Sequence, residues 1–330
     1  MGNGNRETGN AEEKDMKAFT HTNAKTLAEA ATALAGGKAE LIAGGTDLIG
    51  RLKDNILPSY PESLVNIKTI PGLDYIKEEG GILKIGAATR LADIAANPAI
   101  SRKYTALAQA AGRVSTPHVR DMGTIGGNIA QLHRCWYFRK PENRFPCIRK
   151  GGNTCFAMMG DNRYHSIFGA VNGCLAVNIS DTAPALIALD AKVITTRRTI
   201  DAEKFFDVRK PGNTVLAADE IIKEIQVPAP PAGAKSAFLK FAIRKSIDFP
   251  IVNCAVRVGG GEPRICLNAV APKPYRAGKA ETAIEGKPIN EANAAAAGEA
   301  AMADARPPSA TKYKVQIAKT LVKRALLATV

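Results

Sequence analysis

Residues 39–48 read Ala39-Glu40-Leu41-Ile42-Ala43-Gly44-Gly45-Thr46-Asp47-Leu48. A short apolar run, the length of one strand, enters a Gly-Gly-Thr-Asp turn with no spacer. Glycines at such a place let consecutive backbone N–H groups turn inward and approach an anion without Cβ obstruction. Thr46 adds a hydroxyl donor that can reach a phosphate oxygen. The turn is neither a Walker A sequence nor a G-x-G-x-x-G fingerprint, so the common nucleotide folds are not indicated. Alone, it reads equally well as an ordinary glycine-rich turn.

A second turn, Gly123-Thr124-Ile125-Gly126-Gly127-Asn128, again offers a run of amides and a Thr hydroxyl. Its closing Asn is able to cap a helix or to hydrogen-bond a ligand. Two such turns in adjacent α/β halves suit an extended ligand with two phosphates. A dinucleotide fits, and at this level FAD and NAD are not distinguished.

The surroundings support an α/β reading. Thr26 to Ala35 is Ala- and Leu-rich and stops at Gly36-Gly37, as a helix with a glycine stop does. Strands are expected at 39–43, 63–67 and 82–87, and helices at 91–96 and 106–111. After residue 180 a helix at 183–189 and a strand at 192–196 continue the pattern. Pro228-Ala229-Pro230-Pro231-Ala232-Gly233 is the clearest linker. Beyond it, strands are expected at 237–244, 251–258 and 264–270, then two Ala-rich helices, the last at 315–328.

At 330 residues, 45% of them hydrophobic, the chain has enough apolar material for two or three packed domains. No stretch approaches the roughly 20 apolar residues of a membrane span. Residues 1–15 are polar, rich in Gly and Asn, and read as a disordered leader without a secretory signal. The formal charge of +14 raises the question of nucleic acid, but the basic residues are spread along the chain with no recognition motif. A bound dinucleotide, an anionic cluster or an acidic partner subunit would use the same field.

Residues 131–175 differ in character: aromatic, basic and nearly aperiodic. They hold Cys135, Cys147, Cys155 and Cys174, spaced C-x11-C-x7-C-x18-C. Without a C-x-x-C pair, structural zinc is the weaker reading. An iron–sulfur cluster also takes four thiolates, and from Arg134 to His165 seven Lys/Arg face two acidic residues, a field that favours an anionic cluster. Unrelated buried thiols remain an equal reading on composition alone. His133 and His165 flank the segment; either could be the tuning neighbour of a cluster, and a surface or hydrogen-bonded structural histidine is the stronger reading. Cys254 and Cys266 lie in strand-like stretches and read as small buried hydrophobes.

Three motifs occur in order: Leu41 to Leu48, Gly123 to Asn128, and Ser180-Asp181-Thr182-Ala183-Pro184-Ala185-Leu186. Together they resemble the signatures of the FAD-binding medium subunit of the xanthine dehydrogenase and carbon monoxide dehydrogenase family. Phe238-Leu239-Lys240-Phe241 and Val270-Ala271-Pro272-Lys273-Pro274-Tyr275-Arg276 are similar to its C-terminal landmarks. The resemblance implies an α+β chain of α/β subdomains. A vanillyl-alcohol-oxidase-like (PCMH-like) FAD-binding domain would occupy 16–70 and 71–227, and a C-terminal CO-dehydrogenase-flavoprotein-like domain 234–330.

Carried across by motif, Leu41, Ile42, Ala43, Gly44, Gly45, Thr46, Asp47 and Leu48 would hold the pyrophosphate and ribityl chain of FAD. Gly123, Thr124, Gly127, Asn128 and Ala130 would bind its second side. Ser180 belongs to the third motif, where Asp181 would accept a ribose or ribityl hydroxyl. Ile222 and Lys240 would lie near the isoalloxazine, Lys240 placing positive charge beside the ring. The insertion 131–175 resembles the [4Fe-4S] loop of the flavin subunits of 4-hydroxybenzoyl-CoA reductase and of periplasmic-type aldehyde oxidoreductases, with Cys135, Cys147, Cys155 and Cys174 as ligands. The implied role is electron transfer. A large partner subunit would carry the molybdenum cofactor and a small one [2Fe-2S] clusters, in a heterotrimer or its dimer. No residue reads as a catalytic acid or nucleophile. A stand-alone flavin oxidase or reductase, and a zinc-bearing nucleic-acid or scaffold protein, are the rival readings. The compartment is cytoplasmic, or periplasmic by export with a signal-bearing partner.

Overall fold

Three sheets organise residues 16–330, the residues that the computed structural model describes; the leader expected over 1–15 lies outside them. The first lobe runs β1 (Thr20–Asn23), α1 (Leu27–Ala35), β2 (Ala39–Ile42), α2 (Leu48–Lys53) and β3 (Ser63–Asn66). Its strands are parallel, in the order β1-β3-β2. Thr26 starts α1 by accepting from Glu29 N–H at 3.1 Å, while the Glu29 carboxylate accepts from Lys25 N–H at 2.8 Å. Ala30 and Leu34 then pack on Val65 and Ile67. Helix α2, not foreseen from the sequence, begins at once after Asp47 and turns Leu48 and Leu52 against Leu64.

The second lobe runs β4 (Ile76–Glu79), β5 (Ile82–Gly86), α3 (Leu91–Ala96), α4 (Pro98–Lys103), α5 (Thr105–Gly112), α6 (Pro117–Met122) and α7 (Ile125–Ala130). It resumes with α8 (Thr182–Ala188), β6 (Lys192–Thr195), β7 (Thr199–Asp201), α9 (Ala202–Phe205) and β8 (Ile222–Pro228). The sheet is antiparallel, ordered β4-β5-β8-β6-β7, and its core joins Leu83, Ile85 and Ile225 to Leu107, Ile129 and Leu186. Two expectations need correction here. Gly123–Asn128 is not a turn throughout: Thr124 caps α7, its Oγ1 accepting from Gly127 N–H at 3.2 Å, and Asn128 sits inside the helix. Strand β8, unassigned from the sequence, is the central strand of the sheet, and the expected linker begins at its last residue.

The third lobe is a four-stranded antiparallel sheet, β9 (Lys235–Phe241), β10 (Val252–Val258), β11 (Arg264–Asn268) and β12 (Tyr275–Arg276), ordered β12-β11-β10-β9. Helices α10 (Gly278–Ile284), α11 (Glu291–Ala301) and α12 (Lys312–Leu327) cover it. Cys254 and Cys266 are fully buried in its neighbouring strands, as expected of small hydrophobes. Between α7 and α8, residues 131–175 form one turn of 3-10 helix, Ile148–Lys150, and an isolated bridge between Val171 and Cys174; turn bonds and long-range bonds hold the rest. No helix among the described residues is long and apolar enough to cross a membrane.

Candidate functional site

The end of β2 and the α6–α7 junction meet face to face. A Cβ built on Gly44 would lie 2.7 Å from the Met122 carbonyl carbon and 2.9 Å from Gly123 Cα, well inside contact distance. A Cβ on Gly123 would lie 3.0 Å from the Val119 carbonyl oxygen and 3.7 Å from Thr46 Oγ1. The two glycine motifs therefore approach backbone to backbone, and Gly45, at φ +71°, turns the chain in the left-handed region that favours glycine. A cavity of about 350 Å³ opens along this seam. Leu41, Ala43, Gly44, Gly45, Thr46, Asp47 and Leu48 line one wall; Gly123, Thr124, Gly127, Asn128 and Ala130 line the other, with Asp181 between them. A cavity lined by both glycine motifs suits a diphosphate-bearing dinucleotide, and Arg51 and Arg134 bring positive charge to the walls.

Ile42, Ser180, Ile222 and Lys240 do not line this cavity. Ile42 packs with Leu48 and Leu52. The Ser180 hydroxyl donates to Asn128 Oδ1 at 2.6 Å, and the Thr182 hydroxyl does so at 2.7 Å, so Asn128 locks the second motif to the third. Ile222, expected near the isoalloxazine, is buried in the second lobe's core at the start of β8. The Lys240 side chain, expected beside the ring, is buried: its Nζ donates to Asp181 Oδ2 at 2.7 Å and to the Arg113 carbonyl at 3.0 Å. Asn253 donates to the other oxygen of Asp181 at 2.7 Å. Burial pushes the Asp181 carboxyl up, and Lys240 and Asn253 only partly offset it. Lys240 thus supports Asp181 from behind the cavity.

Asp47 looks both ways. Its carboxylate lines the cavity, yet it pairs with Arg139 at 2.7 Å and Arg134 at 2.9 Å and accepts from Leu132 N–H at 3.1 Å. Burial alone would raise its pKa, but Arg139 and Arg134 outweigh that and hold it low. The first glycine loop is tied in this way to the cysteine segment.

Within that segment Cys135 packs with Cys147 in one apolar cluster and with Cys174 in another. Burial pushes the Cys135 thiol up to about 12, and Cys174 and Cys147 push in the same direction. Burial also raises Cys174, with a contribution from Cys155. Among the described residues no three His, Cys, Asp or Glu donors converge closely enough to hold a single metal ion. Arg149 and Lys150 are both buried here. Arg149 donates to the carbonyls of Arg209, Pro211 and Gly212, to Asn213 Oδ1 and, at 3.7 Å, to Cys174 Sγ. Lys150 Nζ has no hydrogen-bond partner among the described residues and lies over the Phe138 ring, 5.3 Å from its centroid. His133 packs at a tilt against Phe138, and His165 Nε2 lies 3.2 Å from Cys135 Sγ. Burial lowers both imidazoles, that of His165 to about 4.

Several cavity residues carry no motif and were missed by the sequence reading: Val114, Ser115, and Ile247, Asp248 and Phe249 of the β9–β10 loop. One signal is visible only in the backbone. Ile247 has φ +66°, rare for a β-branched residue, and its N–H donates to the Ser115 carbonyl at 3.2 Å across the cavity mouth. A second hollow of about 250 Å³ shares Arg134, Ile179, Asp248 and Phe249 with the first and reaches Cys135 and His165.

Comparison with known proteins gives this geometry its family. Residues 17–230 match the FAD binding domain in molybdopterin dehydrogenase, and residues 237–329 match the CO dehydrogenase flavoprotein C-terminal domain. The chain is 33% identical to the aldehyde oxidoreductase FAD-binding subunit PaoB of Escherichia coli (strain K12), over 92% of this chain and 96% of that protein. It is 31% identical to the carbon monoxide dehydrogenase medium chain of Hydrogenophaga pseudoflava, over 93% and 96%. A solved structure of carbon monoxide dehydrogenase from that organism, lacking the Mo-pyranopterin moiety, superposes with a TM-score of 0.74 at 30% identity, covering 96% of this chain and 98% of that one. The chain belongs to the FAD-binding medium subunits of the xanthine dehydrogenase and carbon monoxide dehydrogenase family of molybdenum hydroxylases, and is thus a subunit of an oxidoreductase.

Proposed function

We propose that the chain is the electron-transfer subunit of its complex, with FAD held across the seam between Gly44–Asp47 and Gly123–Asn128 and no substrate chemistry of its own. When bound, the flavin supplies the exchange between one-electron and two-electron carriers. The chain's residues position it. Main-chain donors of Gly44 to Asp47 take the diphosphate, the second motif supplies the facing wall, Arg51 and Arg134 add positive charge, and Asp181, backed by Lys240, offers a buried acceptor for a hydroxyl. The FAD-binding lobes are 16–70 and 71–227, and the C-terminal domain is 234–330. A large partner subunit holds the molybdenum cofactor, a small partner holds [2Fe-2S] clusters, and an external acceptor takes the electrons. Similarity to the aldehyde oxidoreductase subunit favours an aldehyde as the substrate of the whole complex. The observation that carries this reading is the cavity of about 350 Å³ that both glycine motifs line, beside the point where Gly44 and Gly123 meet backbone to backbone.

Cys135, Cys147, Cys155 and Cys174 form the ligand set of a [4Fe-4S] cluster in the same proposal. Supporting it are two buried cations, Arg149 and Lys150, for which no carboxylate partner is found among the described residues; an anionic cluster would balance them. Such a cluster needs its four thiolates ringed around a volume larger than one ion, consistent with donors that do not converge on a point. Denaturing the purified chain, identifying the released chromophore, and measuring iron and acid-labile sulfide tests both parts. The expected result is yellow FAD together with iron and sulfide. Absence of flavin, with no uptake of added FAD, removes the first part; flavin without iron removes the second.

A further inference from the structure

We propose that His165 tunes the cysteine site: its Nε2–H donates to Cys135 Sγ, and this bond raises the reduction potential of the cluster held there. The inference rests on the cluster reading above. The contact is 3.2 Å long and the ring is buried, 3% exposed. A metal-bound thiolate only accepts hydrogen bonds, so the shared proton belongs to Nε2.

The ring is held rather than merely nearby. The His165 N–H donates to the Asn162 carbonyl at 2.8 Å, and its carbonyl accepts from Lys314 Nζ at 3.0 Å. Lys314 is itself fully buried in α12 and also donates to the Ala269 carbonyl, which fastens His165 to the C-terminal domain. Trp136 and Tyr137 lie 6.0 and 6.3 Å from the imidazole, centroid to centroid. The other histidine of the segment makes the contrast: His133 packs at a tilt against Phe138, 4.1 Å between ring centroids, and no contact to a cysteine sulfur is found for it among the described residues. An N–H bond to sulfur strengthens as the sulfur gains negative charge. It therefore favours the cluster that has taken up one electron, and its removal shifts the potential downward.

The test is an anaerobic redox titration of the full-length chain, following the paramagnetic signal of the reduced cluster, in wild type, His165→Leu and His165→Gln, with iron and sulfide measured on each. With iron retained, the Leu variant is expected to change the reduced-to-oxidised ratio at fixed potential roughly tenfold, about 59 mV more negative for a one-electron couple. The Gln variant keeps an N–H donor and is expected to stay within about threefold of wild type. An unchanged Leu variant, or a Gln variant shifted as far as Leu, overturns the proposal while leaving the cluster intact. If the Leu variant loses its iron, the Gln variant decides on the same threefold criterion. A wild-type chain without iron or sulfide defeats the cluster reading and this inference together.

Discussion

Gly44 makes the sharpest test at the scale of one residue. Its missing Cβ is the gap into which Met122 and Gly123 pack, and both neighbours are backbone, which cannot rotate aside. Gly44→Ala should therefore spread the two glycine motifs. Overpacking of this kind costs about 1–3 kcal/mol, or roughly tenfold to a hundredfold in FAD affinity if it falls on the bound state. Flavin content after purification and titration of the apo chain with FAD would read the effect. Gly36→Ala is the control: Gly36 has right-handed φ and nothing within 4 Å of a built Cβ, so flavin binding should not change. Equal affinities for the two variants would mean that the seam does not hold the diphosphate. Legibility differs at this scale for a physical reason. The glycines could be read because a nest of amides needs particular residues in a particular order. Lys240 could not, because an ammonium serves a ring or a carboxylate equally well, and only the fold sets Asp181 2.7 Å away.

Elements were legible where the chain decides locally and obscure where partners decide. Helix α1 carries its own Thr26 cap and glycine stop, and β10 its own apolar run. Helix α7 hid inside a motif with three glycines, poor helix formers whose low propensity is overridden by the Thr124 cap and by burial of Ile125 and Ile129. Strand β8 failed the alternation test because the register shifts at Ile194/Thr195, so Ile222 falls out of phase with Ile225 and Val227. The loop leading into β8 also yields a pH prediction. Glu220 opposes its own burial through Arg198, Thr195 and the Ala217 N–H, which together hold its carboxyl at about 2. A carboxyl depressed by folding stabilises fully above its unfolded value, about 4.3, and that contribution is lost as pH falls toward the folded value. Urea midpoints should therefore drop between about pH 4.3 and about pH 2 more steeply in wild type than in Glu220→Gln. Parallel curves for the two proteins would show that this carboxylate does not fasten β6–β7 to β8.

Across the whole molecule, the cysteine segment is what the three lobes have in common. Arg139 reaches Asp47 in the first lobe, Arg149 reaches Gly212 and Asn213 in the second, and Ile167 N–H donates to the Val270 carbonyl of the third at 2.8 Å. With one 3-10 turn of its own, the segment has little local structure to keep it ordered. A cluster bound to four of its cysteines would supply that order, since metal binding to ligands that are unformed in the unfolded chain adds to folding free energy. Removing iron anaerobically should then do more than bleach an absorbance. Melting should fall by several degrees, roughly 2–4 °C for each kcal/mol lost in a domain of ordinary size. Hydrogen exchange should speed up over 131–175 and at the anchor sites on all three lobes, while the strands β9 to β11, which have their own core, keep their protection. A cluster carried only for electron transfer predicts the opposite, with exchange changing at the four cysteines and nowhere else. Unaltered melting and exchange after iron removal would mean that a cluster has no part in holding the lobes, and the seam would then keep its geometry through the Gly44–Gly123 contact and the Asn128 bonds to Ser180 and Thr182.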